Sequence, residues 1–261
     1  MTYRSLPSPR RSAARLLAVG IVASAALGAT AAEIKVLTAG AFKPVVTALA
    51  PVFEQRTGHK LVIENDTAGG LAKRIGGGES FDVVVITPGA IEQLGQAGKV
   101  GPAPATKLAK VAIGVAVKQG APKPDISSLA AFQKALLDAR AVAYIDPAAG
   151  GSSGIYLSKL FETMGIADRI KPKAVLVPGG LVAQRLVTGE ADLALHQISE
   201  ILAVPGATLV GPIPTEVQNY TVYAGALSAS PRDPGAAQAL LTLLASPEAA
   251  AVLKDKGMQT P

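Results

Sequence analysis

Residues 144–156 read YIDPAAGGSSGIY, and the architecture of the chain is inferred outward from this run. The apolar residues 141–145 predict a buried strand that leads into a glycine-rich turn at 146–151. A helix is expected to begin at Ser152 or Ser153. The first backbone N–H groups of such a helix have no partner within it, and its dipole places about half a positive charge there. The turn therefore predicts an anion site, although a serine that only caps a structural helix explains the same pattern.

The same strand–turn–helix order recurs from Glu33 onward. Continuous apolar runs, FDVVVI at 81–86 and VAIGVAV at 111–117, are typical of buried parallel strands. The segment 42–55 has apolar residues at helical spacing, and a helix at 88–97 opens with Pro88 in its first turn. Other helices are expected at 67–75, 127–137, 153–164, 179–187, 234–245 and 247–255, and other strands at 34–38, 61–64, 174–177, 191–195, 207–210 and 221–227. This alternation predicts an α/β fold with mostly parallel sheets flanked by helices.

Four turns before predicted helices consist largely of glycine and other small or polar residues. They are TAGAFK at 38–43, NDTAGG at 65–70, GGSSG at 150–154 and PGG at 178–180. In parallel sheets such turns lie at the carboxyl ends of the strands, where ligands bind. Small residues also let a ligand reach the backbone N–H groups. We therefore expect the four turns to surround one cleft for a small anionic or polar ligand.

Residues 1–32 have the order of a secretory signal peptide. Arginines at positions 4, 10, 11 and 15 precede an apolar run at 16–27, and small residues follow at 29–32. The run is too short for a comfortable membrane span. Cleavage is expected just before Ala32 or Glu33, with export to the periplasm. The adjacent Arg10 and Arg11 leave the twin-arginine route as an alternative, and a retained anchor as another.

The composition excludes several classes of partner. Of the 25 basic residues, four are the signal arginines, and the remaining 21 nearly balance the 19 acidic residues. Neither a nucleic acid nor a membrane surface is therefore indicated as a partner. The chain has no cysteine, which excludes disulfides, a thiol nucleophile and thiolate metal ligands. The predicted partner is a small ligand, with no nucleic acid.

Signals of catalysis are sparse. The histidines, His59 and His196, are too far apart for metal-ligand spacing, and no glutamate completes a known metal motif. The serines at 152–153 lack the Gly-x-Ser-x-Gly elbow because Ile155 takes its last position. These absences predict a protein that is not an enzyme and holds no metal or cofactor. The alternative is an exported enzyme with His196 as base, which requires a nucleophile or carboxylate within hydrogen-bond reach of that residue.

From Glu33 to Pro261 the chain resembles the periplasmic solute-binding proteins of ABC transporters, in their molybdate-binding-like group. The stretches that carry the resemblance are LTAGAFKPVV (37–46), GGLAKRIGGGESFDVVV (69–85), DPAAGGSSGIYLSKLFETMGIADRIKPK (146–173), LVTGEADLALHQISEI (186–201) and SPEAAAVLKDKG (246–257). The resemblance implies a two-lobed type II periplasmic binding protein fold with a ligand cleft between the lobes. It places residues 33–115 and 215–261 in lobe 1 and residues 116–214 in lobe 2.

The resemblance also implies the residues that contact the ligand. That family holds an oxyanion with neutral donors, which map here to Gly40, Ala41, Thr67 and Gly69 from one lobe and to Ser152, Ser153, Gly179 and Gln197 from the other. The chain departs from the family pattern at three places. Ala41 stands where the family has a serine, residues 68–70 stand where it has a serine-rich stretch, and Gln197 stands where it has a tyrosine. Because buried oxygens need partners, the lost hydroxyls weaken the case for a bare tetrahedral oxyanion.

The function that the resemblance implies is capture of a small anion by a monomer that presents it to the membrane permease of an ABC transporter. Molybdate or tungstate is the first ligand expected, and a small organic carboxylate or other organic anion is the alternative. A sensory module with a different membrane partner is a further alternative. Lys43, one turn into the first helix, is either a source of positive charge for the site or a surface lysine.

Overall fold

Strands and helices alternate along the chain in a computed structural model that describes residues 1–3 and 31–261. The predicted signal peptide lies almost wholly outside the described residues. The strands are β1 (Glu33–Ala39), β2 (Lys60–Asp66), β3 (Val83–Ile86), β4 (Thr106–Lys118), β5 (Val142–Ile145), β6 (Ala174–Val177), β7 (Leu193–Gln197), β8 (Ala207–Pro212) and β9 (Tyr220–Leu227). The helices are α1 (Lys43–Thr57), α2 (Ala68–Gly76), α3 (Pro88–Gln96), α4 (Leu129–Asp138), α5 (Ser152–Thr163), α6 (Ala167–Ile170), α7 (Gln184–Val187), α8 (Ile198–Leu202), α9 (Pro234–Leu244) and α10 (Pro247–Asp255).

Two groups of parallel strands are joined by two long antiparallel strands. The strand order is β2-β1-β3-β9-β4-β7-β5-β6, and β8 pairs with β4 beside this path. β1 pairs in parallel with β2 and β3, and β5 pairs in parallel with β6 and β7. The first half of β4 pairs with β9, and its second half pairs with β7 and β8. The α/β prediction is therefore confirmed, with β4 and β9 crossing between the two groups.

The hydrophobic cores follow the same division. One core draws on residues 34–111 and 223–258, whereas the two smaller cores draw on residues 113–213. Within β4, Val111 therefore packs in the large core, whereas Ile113 packs in one of the two smaller cores. We call the group with β1, β2 and β3 the first lobe and the group with β5, β6 and β7 the second lobe. The limits predicted for the lobes at 115/116 and 214/215 stay a prediction.

Several helix ends follow directly from local sequence. α1 ends at Gly58, which adopts φ 74° and donates its N–H to the Glu54 carbonyl. α3 and α10 begin at Pro88 and Pro247, and the hydroxyl of Ser246 accepts from Ala249 N at 3.2 Å. These starts and ends confirm the boundaries that capping and proline signals predict.

β4, α7 and α8 are among the elements that differ from the sequence prediction. β4 begins at Thr106 and not at residue 111, because residues 106–110 pair with β9 although they form no continuous apolar run. The helix predicted at 179–187 is ordered as α7 only from Gln184, since Gly180 takes a left-handed φ of 82°. α8 was not predicted, because a five-residue helix directly after a strand is too short to show helical periodicity.

No single helix within residues 31–261 is long and apolar enough to cross a bilayer. α9 and α10 pass a test of length and composition only as a pair bent by 60°. Their apolar residues, including Leu240, Leu244 and Leu253, are buried in the core of the first lobe.

Asp82 ties the first lobe together at the start of β3. Its side chain is fully buried and accepts from Lys35 N at 2.7 Å, from Arg232 N at 2.7 Å and from Arg232 Nη2 at 2.9 Å. Burial by itself would raise the pKa of this carboxyl, but the Arg232 side chain and the two amides outweigh it and hold the pKa below its usual range.

We expect Asp82→Ala to lower the free energy of unfolding by about 3 kcal/mol at neutral pH, because three donors lose a buried acceptor. Urea denaturation measures this difference. Asp138→Ala, at an exposed carboxylate of α4, is the control and should change stability by less than about 0.5 kcal/mol. Because the folded pKa of Asp82 is depressed, its contribution is present above the unfolded pKa and is lost as the pH falls through the folded one. Equal stability of the two variants would contradict the assignment.

Candidate functional site

One cavity lies where the carboxyl ends of β1, β2, β5 and β7 meet. Its volume is about 370 Å³ including the open mouth. The lining residues come from both lobes and are Ala39, Gly40, Ala41, Asn65, Asp66, Thr67, Ala68, Ile145, Gly151, Ser152, Ser153, Gly180, His196, Gln197, Glu200 and Tyr223. We call this the inner cavity. Its position at strand ends is the place where open α/β sheets bind ligands.

Six of the eight predicted site residues line the inner cavity. They are Gly40, Ala41, Thr67, Ser152, Ser153 and Gln197. Gly69 and Gly179 do not line it. Gly180 takes the place expected for Gly179, and a Cβ added at Gly179 would lie 3.9 Å from Asp66 Oδ1. The structure thus brings most of the predicted residues together, while their contact with a ligand stays a prediction.

Gly69 contributes to a contact between the lobes instead. Its N–H donates to the Gly150 carbonyl at 3.1 Å, and Thr67 Oγ1 donates to the Ala149 carbonyl at 2.5 Å. We call these two contacts the clasp. A Cβ on Gly69 would come within 2.9 Å of Gly150 Cα, so the two backbones touch without room for a side chain. The clasp holds the turn before α2 against the turn before α5 beside the inner cavity.

Ser152 has a different role from the predicted helix cap. Gly151 occupies the N-cap position of α5, and no side chain caps that helix end. The Ser152 hydroxyl oxygen instead accepts from Gln197 Nε2 at 3.0 Å and from Thr221 Oγ1 at 3.2 Å. With both lone pairs used, its O–H is available to donate into the cavity. Ser152 is therefore a positioned hydrogen-bond donor and not a helix cap.

His196 and Glu200 form a buried pair in the wall of the inner cavity. His196 is the penultimate residue of β7 and Glu200 follows four residues later in α8, with Nε2 and Oε2 3.1 Å apart. Burial raises the pKa of Glu200 to about 8 and lowers the pKa of His196 to about 3. At neutral pH the carboxyl therefore holds a proton beside a neutral imidazole. Such a pair can give up and take back one proton within the site.

The turn between β1 and α1 leaves space for the Glu200 carboxyl. A Cβ added at Gly40 would lie 2.4 Å from Glu200 Oε1, so only glycine lets the acid rest against the backbone there. Tyr223 also lines the cavity, and burial together with the Glu200 charge raises the pKa of its hydroxyl. Within the described residues no group of three or more His, Asp or Glu side chains could hold a metal ion.

Sequence reasoning missed Glu200, Asn65 and Tyr223 as lining residues. Glu200 stands four residues after His196, and the two meet across the junction of a strand and a short helix, where no periodic spacing predicts a contact. Since α8 was not predicted, that spacing carried no signal. Asn65 lies inside the turn at 65–70, but nothing in the sequence distinguishes its side chain from those of its neighbours. Tyr223 comes from β9, whose place beside the cleft depends on tertiary structure.

Comparison with known proteins gives matches over nearly the whole chain. The family model for bacterial extracellular solute-binding proteins matches residues 34–259. An aconitate isomerase from Pseudomonas sp is 38% identical over 253 residues, which cover 93% of this chain and 95% of the relative. The molybdate-binding protein ModA of Azotobacter vinelandii is 27% identical over 252 residues, covering 92% and 94%.

Solved structures share the fold at low sequence identity. The periplasmic molybdate-binding protein of Azotobacter vinelandii superposes with a TM-score of 0.74 at 22% identity, covering 88% of this chain and 100% of that one. The sulfate-binding protein SubI from Mycobacterium tuberculosis gives 0.70 at 17% identity, covering 88% and 87%. These superpositions confirm the predicted two-lobed fold. Together with the family model and the 27% identical ModA, they confirm the predicted resemblance to molybdate-binding-like solute-binding proteins.

The prediction that the protein is not an enzyme is wrong, because a relative 38% identical over nearly its whole length is an aconitate isomerase. The signals sought in the sequence were metal-ligand spacings and nucleophile motifs, which mark other reaction classes. An acid–base pair formed where a strand meets a short helix has no such linear signature. The condition set for His196 as a base, a carboxylate within hydrogen-bond reach, is met by Glu200.

Proposed function

Because the chain belongs to the family of bacterial extracellular solute-binding proteins, we propose that it binds a small unsaturated carboxylate between its lobes and isomerises it, with aconitate as the first substrate to test. The single observation that carries the proposal is the buried Glu200–His196 pair in the wall of the inner cavity. The activity named for the 38% identical relative supports the same reaction class. Export to the periplasm, which the predicted signal peptide implies, is part of the proposal.

The reaction needs only proton transfer. A base removes a proton from the CH₂ carbon of aconitate next to the double bond, and the electron pair spreads over the allylic carbons and the carboxylates. The proton then returns at the far carbon, the double bond shifts, and a cis or trans product forms according to the geometry held in the site. No electron leaves the substrate and no co-reactant is consumed. An acid–base group and donors for the delocalised negative charge are therefore sufficient.

Glu200 is the group that we assign as base. Its pKa of about 8 gives a carboxylate of higher basicity than an exposed glutamate, and the fraction ionised at neutral pH is still appreciable. His196, with Nε2 at 3.1 Å, positions the Glu200 carboxyl and stays neutral as the proton moves. Gly40 keeps the space beside the Glu200 carboxyl free of a side chain.

Neutral donors of both lobes would hold the substrate. Ser152 is oriented by Gln197, and Ser153 is buried at the start of α5. From the facing lobe, the backbone and the Asn65 amide line the cavity, whereas the Thr67 hydroxyl is already bonded to the Ala149 carbonyl. The backbone N–H groups at the start of α5 point to the same region, since the first turn of a helix leaves them without partners. These donors and the dipole of the twelve-residue helix favour the negative charge that builds up on the substrate carboxylates.

A bare oxyanion fits this cavity less well. The oxygens of a bare oxyanion need hydrogen-bond donors when they are buried. The turn residues Ala41 and Ala68 present no hydroxyl where the resembling family has serines. Anion capture for an ABC permease remains the second candidate function. The observation that favours it is that the described residues lining the inner cavity include no Lys or Arg, a neutral donor set of the kind predicted for that role.

The direct test is to incubate the purified protein separately with cis-aconitate and trans-aconitate and to follow both isomers by NMR. Each is expected to convert to the same equilibrium mixture. Thermal shifts with aconitate, molybdate and tungstate, measured in parallel, identify the ligand that stabilises the fold. A folded protein that converts neither isomer but is stabilised by molybdate would overturn the proposal in favour of anion capture.

The pH dependence of kcat/KM tests the assignment of the base. Because Glu200 must lose its proton before it can act, kcat/KM should rise about tenfold per pH unit at low pH and level off above about pH 8. The His196 pKa of about 3 lies below the tested range, so no second rise is expected from it. Measuring the dissociation constant across the same range separates catalysis from binding. A kcat/KM that falls as the pH rises through 8 would show that Glu200 acts in its protonated form.

A further inference from the structure

A second cavity adjoins the inner cavity on the side of α1. Its volume is about 940 Å³ including its mouth, and it shares four lining residues with the inner cavity, namely Gly40, Asn65, Gly180 and Glu200. We call it the outer cavity. Because the two share walls, a ligand seated at Glu200 can extend from one into the other.

The cations of the site lie in the outer cavity. Of the described residues that line the two cavities, the only Lys or Arg side chains are Lys43 and Lys256, and both face the outer one. Lys256 Nζ pairs with Asp255 Oδ2 at 2.7 Å. Lys43 Nζ donates to Asn65 Oδ1 at 2.8 Å, and within residues 31–261 it has no carboxylate within 4.0 Å. Lys43 therefore forms no ion pair with a described carboxylate.

Asn65 gives Lys43 a defined position. Its side chain lines both cavities, and its amide oxygen receives the Lys43 ammonium at their junction. An exposed lysine would otherwise be spread over many rotamers, and ordering it costs free energy. The ammonium has three N–H donors, and the single bond to Asn65 leaves two of them for a ligand.

We infer that Lys43, held in place by Asn65, binds a carboxylate that projects from the inner into the outer cavity and makes the site selective for tricarboxylates over dicarboxylates. The inference rests on the proposed function. Neutral donors in the inner cavity suit the two carboxylates nearest the double bond. The third carboxylate of a tricarboxylate loses its hydration when it enters the cleft. A hydrogen bond from a cation offsets this desolvation cost better than one from a neutral donor. Lys43 lies on the wall toward which a longer ligand extends.

The test compares ligands that differ by one carboxylate. Aconitate is the tricarboxylate, and mesaconate and citraconate carry a methyl group in place of its carboxymethyl group. Dissociation constants are measured by calorimetry for the wild type, Lys43→Met and Lys43→Arg. Lys159→Met removes an exposed lysine of α5 outside both cavities and is the matched control.

Lys43→Met should weaken aconitate binding about tenfold to a hundredfold, the range of one charge-assisted hydrogen bond, and weaken mesaconate or citraconate binding less than threefold. Lys43→Arg should restore most of the selectivity, and Lys159→Met should match the wild type. Equal losses for tricarboxylate and dicarboxylates, or none for either, would overturn the inference.

Failure of the proposed function has a different signature. If the wild type binds aconitate with this selectivity but converts neither isomer, the Lys43 inference stands and the isomerase proposal falls. If it converts aconitate and Lys43→Met keeps the same KM, the inference falls alone. If neither tricarboxylates nor dicarboxylates bind, both fall.

Discussion

Glu200→Gln should lower the kcat for aconitate isomerisation by at least about a thousandfold while the protein remains folded and still binds the substrate. Glutamine keeps the shape of the buried carboxyl and can still hydrogen-bond to His196 Nε2, which lies 3.1 Å from Glu200 Oε2. It cannot take up a proton at neutral pH. The measurement is kcat from initial rates by NMR, together with the dissociation constant of the substrate for the same variant.

The stability of this variant provides an internal check. Because burial holds the Glu200 carboxyl in its neutral form, a neutral glutamine should be accommodated without a large loss of stability. The raised folded pKa also means that Glu200 stabilises the wild type below its unfolded pKa and that this contribution is lost as the pH rises toward 8. Glu200→Gln should remove that slope from the pH dependence of the melting temperature.

Glu216→Gln is the matched control, since Glu216 is an exposed carboxylate outside the cavity. It should retain the kcat of the wild type. A Glu200→Gln variant that turned over substrate at the wild-type rate would exclude Glu200 as the base, and Asp66, His196 and Tyr223 would then be the acid–base side chains of the cavity to test.

The second large effect is expected from Gly69→Ala, which should weaken substrate binding about tenfold to a hundredfold by holding the lobes apart. The added Cβ would lie 2.9 Å from Gly150 Cα and 3.0 Å from the Gly150 carbonyl oxygen. Both are backbone atoms, so no rotamer change can relieve the overlap. Overlaps of this kind cost about 1–3 kcal/mol, and each 1.4 kcal/mol is a factor of ten in affinity. Calorimetry measures the affinity, and small-angle scattering with ligand measures closure.

The same helix supplies the control for this variant. Gly76 is the last residue of α2, and a Cβ added there would meet no atom within 4 Å. Gly76→Ala should bind substrate as the wild type does. Both variants should keep the melting temperature of the ligand-free protein within a few degrees, since the clasp is a contact between lobes outside the hydrophobic cores. If Gly69→Ala closed on its ligand with unchanged affinity, the clasp would have no part in closure.

Local signals predicted much of the fold. The buried strands at 83–86 and 142–145 follow from continuous apolar runs, and the helix ends at Gly58 and Ser246 follow from glycine and serine chemistry. The first half of β4 and the short helix α8 were not predicted, because β pairing and a single helical turn depend on partners distant in the chain. The resemblance carried by the turns predicted the two-lobed fold that the solved structures share.

The position of the site followed from sequence, whereas its chemistry followed from packing. Glycine-rich turns after strands are a local feature, so Gly40, Thr67 and Ser152 could be placed at one cleft from the sequence. The proton-holding pair depends on how the first-lobe turn at Gly40 packs against Glu200 of α8, because this packing removes water from His196 and Glu200 and shifts both pKa values.

Residues 144–156 show the same division between what local sequence predicts and what packing decides. The sequence predicted a strand, a turn and a helix start there, because propensity and glycine chemistry act between neighbours. Only the tertiary structure turned the Ser152 hydroxyl toward Gln197 and Thr221 and set Gly150 against Gly69. These contacts join segments that lie far apart in the chain. Because such contacts form only when the chain packs, no pattern along the sequence predicts them.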